Sequence, residues 1–399
     1  MDKNTIYGLI LMALVFFGFM WLTPRETPEP PTDTAADTAT AEAAAPAADS
    51  LTETEREWLV KNIAETGEQV VLADSTRAAR LTQGAVSLTA AGDSIWGTVV
   101  VDGATLQWRD IEAGDLRKMS ALQQRKAVEA VKALSNSVGR YGRFARFLTG
   151  TDRTVTLENE AVKLELSALS GSVTRAELKK YDTEYNADET DKTKRKVVVF
   201  EKGTNTFDFQ LPLPQAVSTS ELYFNPRVVN DSTVLMTLDL APDAYWGIQY
   251  TLPKGDSYVV DVKIIQRNMA DIVQSNVRTL GFNWSQEVKR QERGRMFEER
   301  NSALYYKFAG GSVENLKEND NDSEERKAKI KWIGFKNQFF STVMVAGKSF
   351  NTADFQSTVV KNSDYLKNMA TRAEVNDYDW RAANPASFSL FIGPNLYPL

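Results

Sequence analysis

The residue types that most often carry out chemistry in proteins are unevenly supplied in this chain. Its 399 residues include no cysteine and no histidine, whereas Asp and Glu together number 53. The chain therefore lacks a thiol nucleophile, a thiolate metal site, the Ser-His pair and the commonest zinc ligand. So many carboxylates make close pairs inevitable, and none has the character of a glycosidase dyad. We therefore predict that the chain is not an enzyme, and we assign no catalytic, cofactor-binding or metal residues and no cofactor.

Charged clusters are the next candidates for a functional site. The basic run Lys192 to Lys196 lies between two predicted strands, and we interpret it as a solvated hairpin loop, with a contact to anionic lipid as the alternative. Lys289 to Arg300 mixes both signs, which is typical of a solvent-exposed face with weak ion pairs. Residues 315–329 are predicted to be a polar loop. The net charge of −6, without a sustained basic block, argues against nucleic acid as a partner.

The feature that must position the rest of the chain is the uncharged apolar stretch from Ile6 to Leu22. Its length as a helix covers most of a bilayer core of ~30 Å, and Trp21 lies where an interfacial aromatic residue is expected. The apolar run is longer than that of a usual signal peptide, and no small-residue cleavage site follows it directly. We therefore predict a retained transmembrane anchor over residues 1–24, with the long polar part outside the cytoplasm.

Between this anchor and the β-rich part, the composition changes twice. Residues 25–52 are rich in Pro, Thr, Ala, Asp and Glu, which predicts a disordered linker. Residues 53–150 are predicted to be a mixed helix and hairpin region. It opens with a helix over 51–66, capped by Thr52 or Thr54 and ended by Gly67. Asp102-Gly103 is a two-residue hairpin signal.

A second helix is predicted over residues 115–138, with Gly139 as its C-terminal stop. Its apolar residues recur mostly at intervals of three or four, and we interpret them as a packing face. They are Leu116, Met119, Leu122, Val128, Val131, Leu134 and Val138.

From residue 151 to 399 the pattern is that of one short strand after another. Val162, Leu164 and Leu166 alternate with charged residues, and more than ten such segments are separated by Gly, Pro, Asn and Asp. This pattern predicts a mainly β fold, an antiparallel sandwich too large for a seven-strand immunoglobulin-like domain. We interpret the aromatic block from Lys331 to Val345 as core. The further predicted strands are 196–201, 234–240, 246–252, 258–265, 279–288, 342–345 and 388–392.

Several short segments, in order along the chain, resemble one family. They are Met1 to Ile10, Thr156 to Glu160, Ser170 to Val173, Glu177 to Tyr181, Ser220 to Phe224, Gly294 to Arg300, the block around Trp332, and Phe391 to Asn395. Together they are similar to YidC membrane protein insertases of the Bacteroidetes type, over residues 1–26 and about 153–397. Residues 67–149 have no good counterpart apart from Tyr141 to Phe144, and are expected to be a lineage-specific insertion.

The resemblance implies a fold, a location and partners. Residues 151–399 would be the family's large periplasmic domain, a β-supersandwich similar to mutarotase-like domains, held at the bacterial inner membrane by the anchor. The family inserts, folds and assembles integral membrane proteins, alone or with the Sec translocase, so the lipid bilayer, nascent membrane proteins and Sec components are the implied partners. The family's membrane-embedded insertase core, with its hydrophilic groove, has no counterpart in this sequence, which is expected to be an N-terminal part.

Two other interpretations remain open. The chain could be a membrane-anchored periplasmic carbohydrate-binding or mutarotase-like protein, although mutarotases of that fold depend on a histidine that this chain lacks. It could also be a periplasmic scaffold without an insertase core. A sugar titration would separate the carbohydrate-binding interpretation from the insertase interpretation, because fold analogy alone does not establish function.

Overall fold

The computed structural model describes residues 51–109, 120–185, 193–213, 215–270, 272–273, 277–361 and 363–395. The anchor segment from Ile6 to Leu22 and the linker up to residue 50 lie outside these ranges. Within them, none of the helices combines the length and the apolar character needed to cross a bilayer. All described residues belong to one compact unit.

The described residues form 24 strands, all paired antiparallel with their neighbours, which confirms the prediction of a mainly β fold. The strands are β1 (Glu68–Val71), β2 (Arg77–Gln83), β3 (Val86–Ala91), β4 (Ser94–Val101), β5 (Ala104–Arg109), β6 (Thr154–Glu158), β7 (Val162–Ser167), β8 (Val173–Thr183), β9 (Arg195–Phe200), β10 (Asn205–Leu211), β11 (Val217–Ser218), β12 (Asn225–Asn230), β13 (Thr233–Ala241), β14 (Ala244–Thr251), β15 (Val259–Arg267), β16 (Thr279–Lys289), β17 (Ala303–Phe308), β18 (Val313–Asn315), β19 (Asp322–Arg326), β20 (Ile330–Lys336), β21 (Phe340–Phe350), β22 (Thr352–Val359), β23 (Tyr365–Asn376) and β24 (Ser387–Pro394). The predicted hairpin at Asp102-Gly103 is confirmed between β4 and β5.

Four sheets contain these strands. The two largest have the orders β12-β13-β14-β15-β24-β21-β20-β17-β18 and β11-β10-β16-β23-β22-β19. A four-stranded sheet, β6-β7-β8-β9, and a five-stranded sheet, β1-β2-β3-β4-β5, complete the described part. The last strand in sequence, β24, therefore lies in the middle of the nine-stranded sheet, between β15 and β21.

The nine-stranded and six-stranded sheets pack face to face through aromatic side chains. Strand β16 shows why: its residues alternate strictly, so that Phe282 and Trp284 face inward while their neighbours lie nearer the surface. The Trp284 ring stacks on Phe335 of β20 with 3.9 Å between ring centroids. Tyr306 of β17 stacks on Phe355 of β22 at 4.3 Å. Contacts of this kind between opposite sheets define a β-sandwich.

The aromatic block from Lys331 to Val345 contributes to this core as predicted. Ile333, Phe335 and Met344 are fully or almost fully buried, and the block spans β20 and the first half of β21. Trp332 is only half-buried.

The polar stretch 315–329 was predicted to be a loop, but part of it is a strand. Its middle forms β19, which pairs with β22 from Asp322 opposite Ser357 to Arg326 opposite Ala353. Its sequence Asp-Ser-Glu-Glu-Arg forms an edge strand, whose charged side chains protect a sheet edge from unwanted pairing.

Two helices pack on the five-stranded sheet. Helix α1 (Glu53–Thr66) begins at a capping box in which Thr52 and Glu55 exchange hydrogen bonds, and it ends at Gly67, as predicted. Helix α2 (Ala121–Tyr141) buries Val131 and Leu134 against the same core. Of the predicted packing face, Val128 and Val138 are also buried, whereas Leu116 and Met119 lie outside the described residues.

Two details of the α2 prediction are wrong. Gly139 does not end the helix, which continues to Tyr141 and is closed by Gly142 at a φ of 52°. Leu122 is 61% exposed rather than buried, because, at about 3.6 residues per turn, it lies on the opposite face of the helix from the buried Val131.

Candidate functional site

A cleft with a volume of about 1190 Å³ lies where the five-stranded sheet meets the sandwich. Its walls come from the end of α1, strands β1 and β2, the 3₁₀ turn Gly142–Phe147, and the end of β13. The charged residues that line it are Arg80, Arg143, Arg146, Arg153, Glu65, Glu68 and Asp239.

The 3₁₀ turn positions two of the arginines. It follows α2 directly, and its Phe144, Ala145 and Phe147 are buried, so Arg143 and Arg146 are left on the cleft side. The backbone N–H of Tyr223 donates to the Phe147 carbonyl at 2.7 Å and ties the turn to the sandwich. A Cβ on Gly150 would lie 2.6 Å from the Tyr223 ring, so this close approach requires glycine.

Arg146 is the most unusual cation of the cleft. Its guanidinium lies 4.9 Å from the Phe147 ring centroid, but it makes no hydrogen bond or ion pair within the described part of the chain. Burial lowers its pKa, and the carboxylates of Glu68 and Asp239 act in the opposite direction from beyond ion-pair distance. Asp239 is itself held by Arg227, at 2.8 Å, and by Asn225, at 3.1 Å. Arg146 is thus a half-buried donor group available to an acceptor on a ligand.

The cleft is suited to binding a polar ligand, because it combines guanidinium donors, carboxylate acceptors and the half-buried ring of Tyr223. No site residues were predicted from the sequence, so these arginines were missed. One signal was available: Arg143 and Arg146 alternate with Phe144 and Phe147 directly after a helix-closing glycine.

The basic run Lys192 to Lys196 is only partly described, since Lys192 lies outside the described residues. Arg195 and Lys196 belong to β9, and Lys196 makes an ion pair with Asp182 of β8 at 2.8 Å. The lipid contact considered for this run stays a prediction.

The interpretation of Lys289 to Arg300 as a solvated face is wrong in one respect. The second half of the segment forms helix α3 (Arg295–Arg300), and Glu298 within this helix is fully buried. The Glu298 carboxylate accepts hydrogen bonds from the backbone N–H groups of Gln291 and Glu292 and from the side-chain amide of Asn337, at 2.9–3.0 Å. Burial raises the pKa of Glu298 to about 7, and the backbone donors oppose this shift.

A second set of hydrogen bonds joins this network to the end of the described chain. Asn395 donates to the carbonyls of Asn337, at 2.9 Å, and Gln338, at 3.2 Å. Its backbone N–H donates to the Phe339 carbonyl at 2.7 Å. Helix α3, the turn at Asn337 and the end of β24 therefore lie together at one end of the sandwich.

Comparison with known proteins places these features in a family. Residues 154–399 match the YidC periplasmic domain, and the match begins at the first residue of β6. A membrane protein insertase YidC from Parabacteroides distasonis is 34% identical over 262 residues, which are 65% of this chain and 40% of that protein. Another, from Porphyromonas gingivalis, is 30% identical over 405 residues, which cover 100% of this chain and 52% of that protein. The chain thus spans about half the length of the curated relatives it matches.

Solved structures give a weaker similarity. A galactose mutarotase-like protein from Lactobacillus casei is 11% identical, with a TM-score of 0.36, over 61% of this chain and 100% of that chain. A putative aldose 1-epimerase from Escherichia coli is 8% identical with the same TM-score and coverage. These values support no conclusion about a bound sugar or a reaction. The match over residues 154–399 is decisive: the chain belongs to the YidC periplasmic domain family.

Proposed function

We propose that this chain is the N-terminal part of a membrane protein insertase. The observation that carries the proposal is the match of residues 154–399 to the YidC periplasmic domain. Insertion of membrane proteins would be carried out by a membrane-embedded part outside this sequence. A polar segment that crosses a bilayer costs several kcal/mol for each unsatisfied group, which is the barrier that an insertase lowers.

The role of the present chain would be to anchor and to bind. Residues 1–24 would hold it in the bacterial inner membrane, residues 25–52 would act as a linker, and the described domain would lie in the periplasm. We divide that domain into residues 53–150, an insertion, and residues 151–399, the β-supersandwich. The cleft lies where these two parts meet, and we infer that it contacts nascent membrane proteins or components of the Sec translocase.

The composition of this domain favours a role in binding over a role in catalysis. The sequence contains no histidine and no cysteine. In addition, the charged groups of the cleft are suited to hydrogen bonding with a polypeptide or another polar ligand.

The proposal is tested by crosslinking from the cleft. Because residues 1–399 contain no cysteine, Gln69→Cys creates a single thiol there, in the exposed part of the cleft wall, and any cysteine outside these residues is first changed to serine. Val313→Cys, 48% exposed on β18, provides a control at the opposite edge of the nine-stranded sheet from β12. The full-length gene product is labelled in its own membranes with a thiol-directed photocrosslinker. We expect adducts with a stalled nascent membrane protein or a Sec component from Gln69→Cys but not from Val313→Cys.

Two outcomes would contradict the proposal. If both labelled positions give no adducts in membranes that carry out insertion, the cleft is not the contact surface. If membranes depleted of the gene product insert a reporter membrane protein normally, the insertase assignment itself is wrong. A fluorescence titration with monosaccharides then tests the carbohydrate-binding alternative directly.

A further inference from the structure

Helix α3 presents two large apolar side chains to solvent. Met296 is 67% exposed and its neighbour Phe297 is 68% exposed, the latter being the most exposed aromatic residue among the large hydrophobic side chains of the described residues. Two adjacent apolar residues held in water on a helix of six residues contribute nothing to the sandwich core. Such exposed pairs point to a contact surface rather than to packing.

The helix cannot turn these side chains inward, because its other side is fixed. Arg295 donates to the carbonyls of Ser363, at 2.6 Å, and Val360. Glu298 is buried and bound to Gln291, Glu292 and Asn337 as described above. The apolar pair is therefore displayed by a rigid support, which lowers the entropic cost of binding.

In the segment Lys289 to Arg300, the acidic and the basic residues also differ in their exposure to solvent. Glu298 is buried, and Glu299 is half-buried in an ion pair with Arg295 at 3.0 Å. The exposed residues of the segment are Arg293, Gly294, Met296, Phe297 and Arg300, so this surface is apolar and cationic. The neighbouring loop contributes charges of both signs, with Lys317 and Asp320 exposed and Glu318 half-buried.

An exposed Phe and Met flanked by arginines is the combination that binds an anionic bilayer surface. The apolar side chains enter the boundary between headgroups and acyl chains, and each nearby cation adds electrostatic attraction to acidic lipid. The position of α3 in the fold is consistent with contact to a bilayer surface. Through Asn337 it lies at the end of the sandwich where β24 ends, next to Asn395. In the proposed function, which this inference rests on, the membrane-embedded part of the insertase would follow on that side.

We propose that α3 is a membrane-docking element of the domain. Met296 and Phe297 would enter the interface of the periplasmic leaflet, and Arg293 and Arg300 would contact lipid phosphates. The sandwich would then be held at the bilayer by this surface as well as by the N-terminal anchor.

The test uses the absence of cysteine in this chain. Full-length proteins, with any cysteine outside residues 1–399 changed to serine, carry the single substitution Met296→Cys or Phe297→Cys. They are labelled with an environment-sensitive fluorophore and reconstituted in nanodiscs of phosphatidylcholine and phosphatidylglycerol. Val229→Cys is the matched control: it is 57% exposed and lies on β12, at the opposite edge of the nine-stranded sheet from β17 and β18. We expect a blue shift, quenching by spin-labelled lipid and loss of iodide quenching at 296 and 297, and none of these at 229.

The charge contribution is tested in the same samples. Arg293→Gln combined with Arg300→Gln should weaken the lipid signal at position 296, and so should nanodiscs of phosphatidylcholine alone. The inference is overturned if labels at 296 and 297 remain as accessible to iodide as the label at 229. It is also overturned if they become protected without lipid as protein concentration rises, which would identify a second copy as the partner. Either result leaves the cleft crosslinking and the insertion assay unaffected, so the proposed function is judged separately.

Discussion

Asn337 donates a side-chain hydrogen bond to the buried carboxylate of Glu298 at 3.0 Å, and this contact joins helix α3 to the turn between β20 and β21. The carboxyl group carries a raised pKa because it is buried. The free energy of unfolding must therefore depend on pH through the protonation of Glu298.

We expect the free energy of unfolding to fall as pH rises from about 4.5 to about 7 through the titration of Glu298. The folded state holds the proton up to about pH 7 whereas the unfolded chain releases it near 4.5, so the stabilisation is complete below 4.5 and lost above 7. The slope from one such group is at most about 1.4 kcal/mol per pH unit. Glu298→Gln should remove this component in urea unfolding across pH, and Glu299→Gln should retain it. Identical pH profiles for Glu298→Gln and the unchanged chain would contradict the assignment.

Alanine substitutions at the two glycines near the end of α2 should have opposite effects on the free energy of unfolding. A Cβ on Gly139 would lie 3.6 Å from the Trp58 ring, an ordinary contact, so Gly139→Ala should stabilise by up to about 1 kcal/mol through helix propensity. Gly142 has a φ of 52°, and Gly142→Ala should destabilise by about 1–2 kcal/mol. Thermal and urea unfolding of both variants measure the difference. Changes of the same sign would be inconsistent with the helix ending at Gly142.

Trp284 combines a stacking contact with a hydrogen bond, and the two can be separated. Its Nε1 donates to the Oδ1 of the buried Asn205 at 3.2 Å. Trp284→Phe keeps an aromatic ring facing Phe335 but leaves that oxygen unsatisfied, which should cost about 1–3 kcal/mol. Trp332→Phe, at a half-buried position in β20, is the comparison and should cost less. An equal loss of stability in the two variants would show that the hydrogen bond to Asn205 contributes little.

Replacing Arg146 should raise the stability of the fold and weaken binding in the cleft. Its half-buried guanidinium has no hydrogen-bond partner within the described residues, so Arg146→Met should give a small rise in Tm while a thioether replaces the cation beside Phe147. The same variant should reduce crosslinking from Gln69→Cys. Arg153→Met, at an exposed position of the same cleft, should leave Tm unchanged. A fall in Tm for Arg146→Met would mean that the cation contributes to folding.

Local patterns predicted most of the fold. The first helix was set by Thr52, Glu55 and Gly67, whose caps act within a few residues. Alternation predicted strands such as β16, because burial on one face requires it. The end of α2 was placed too early at Gly139, since a glycine inside a helix and one that closes it look alike in sequence.

The parts that sequence could not predict depend on long-range contacts. Glu298 looked like one more surface acid, and only the turn at Asn337 and the backbone at Gln291 make it buried. The same burial separates the acidic from the basic residues of Lys289 to Arg300. The cleft likewise requires Arg146, Glu68 and Asp239 to meet from three separate elements.

The place of β24 in the nine-stranded sheet has a consequence for biosynthesis. Strands β15 and β21 each pair with β24 on one side, so both keep an open edge until Ser387–Pro394 has been synthesised. Pairing of this kind joins residues distant in sequence, which slows folding and leaves edges prone to association with other chains. A growing chain cannot complete this sheet early, and its half-formed sandwich would need shielding until β24 has been made.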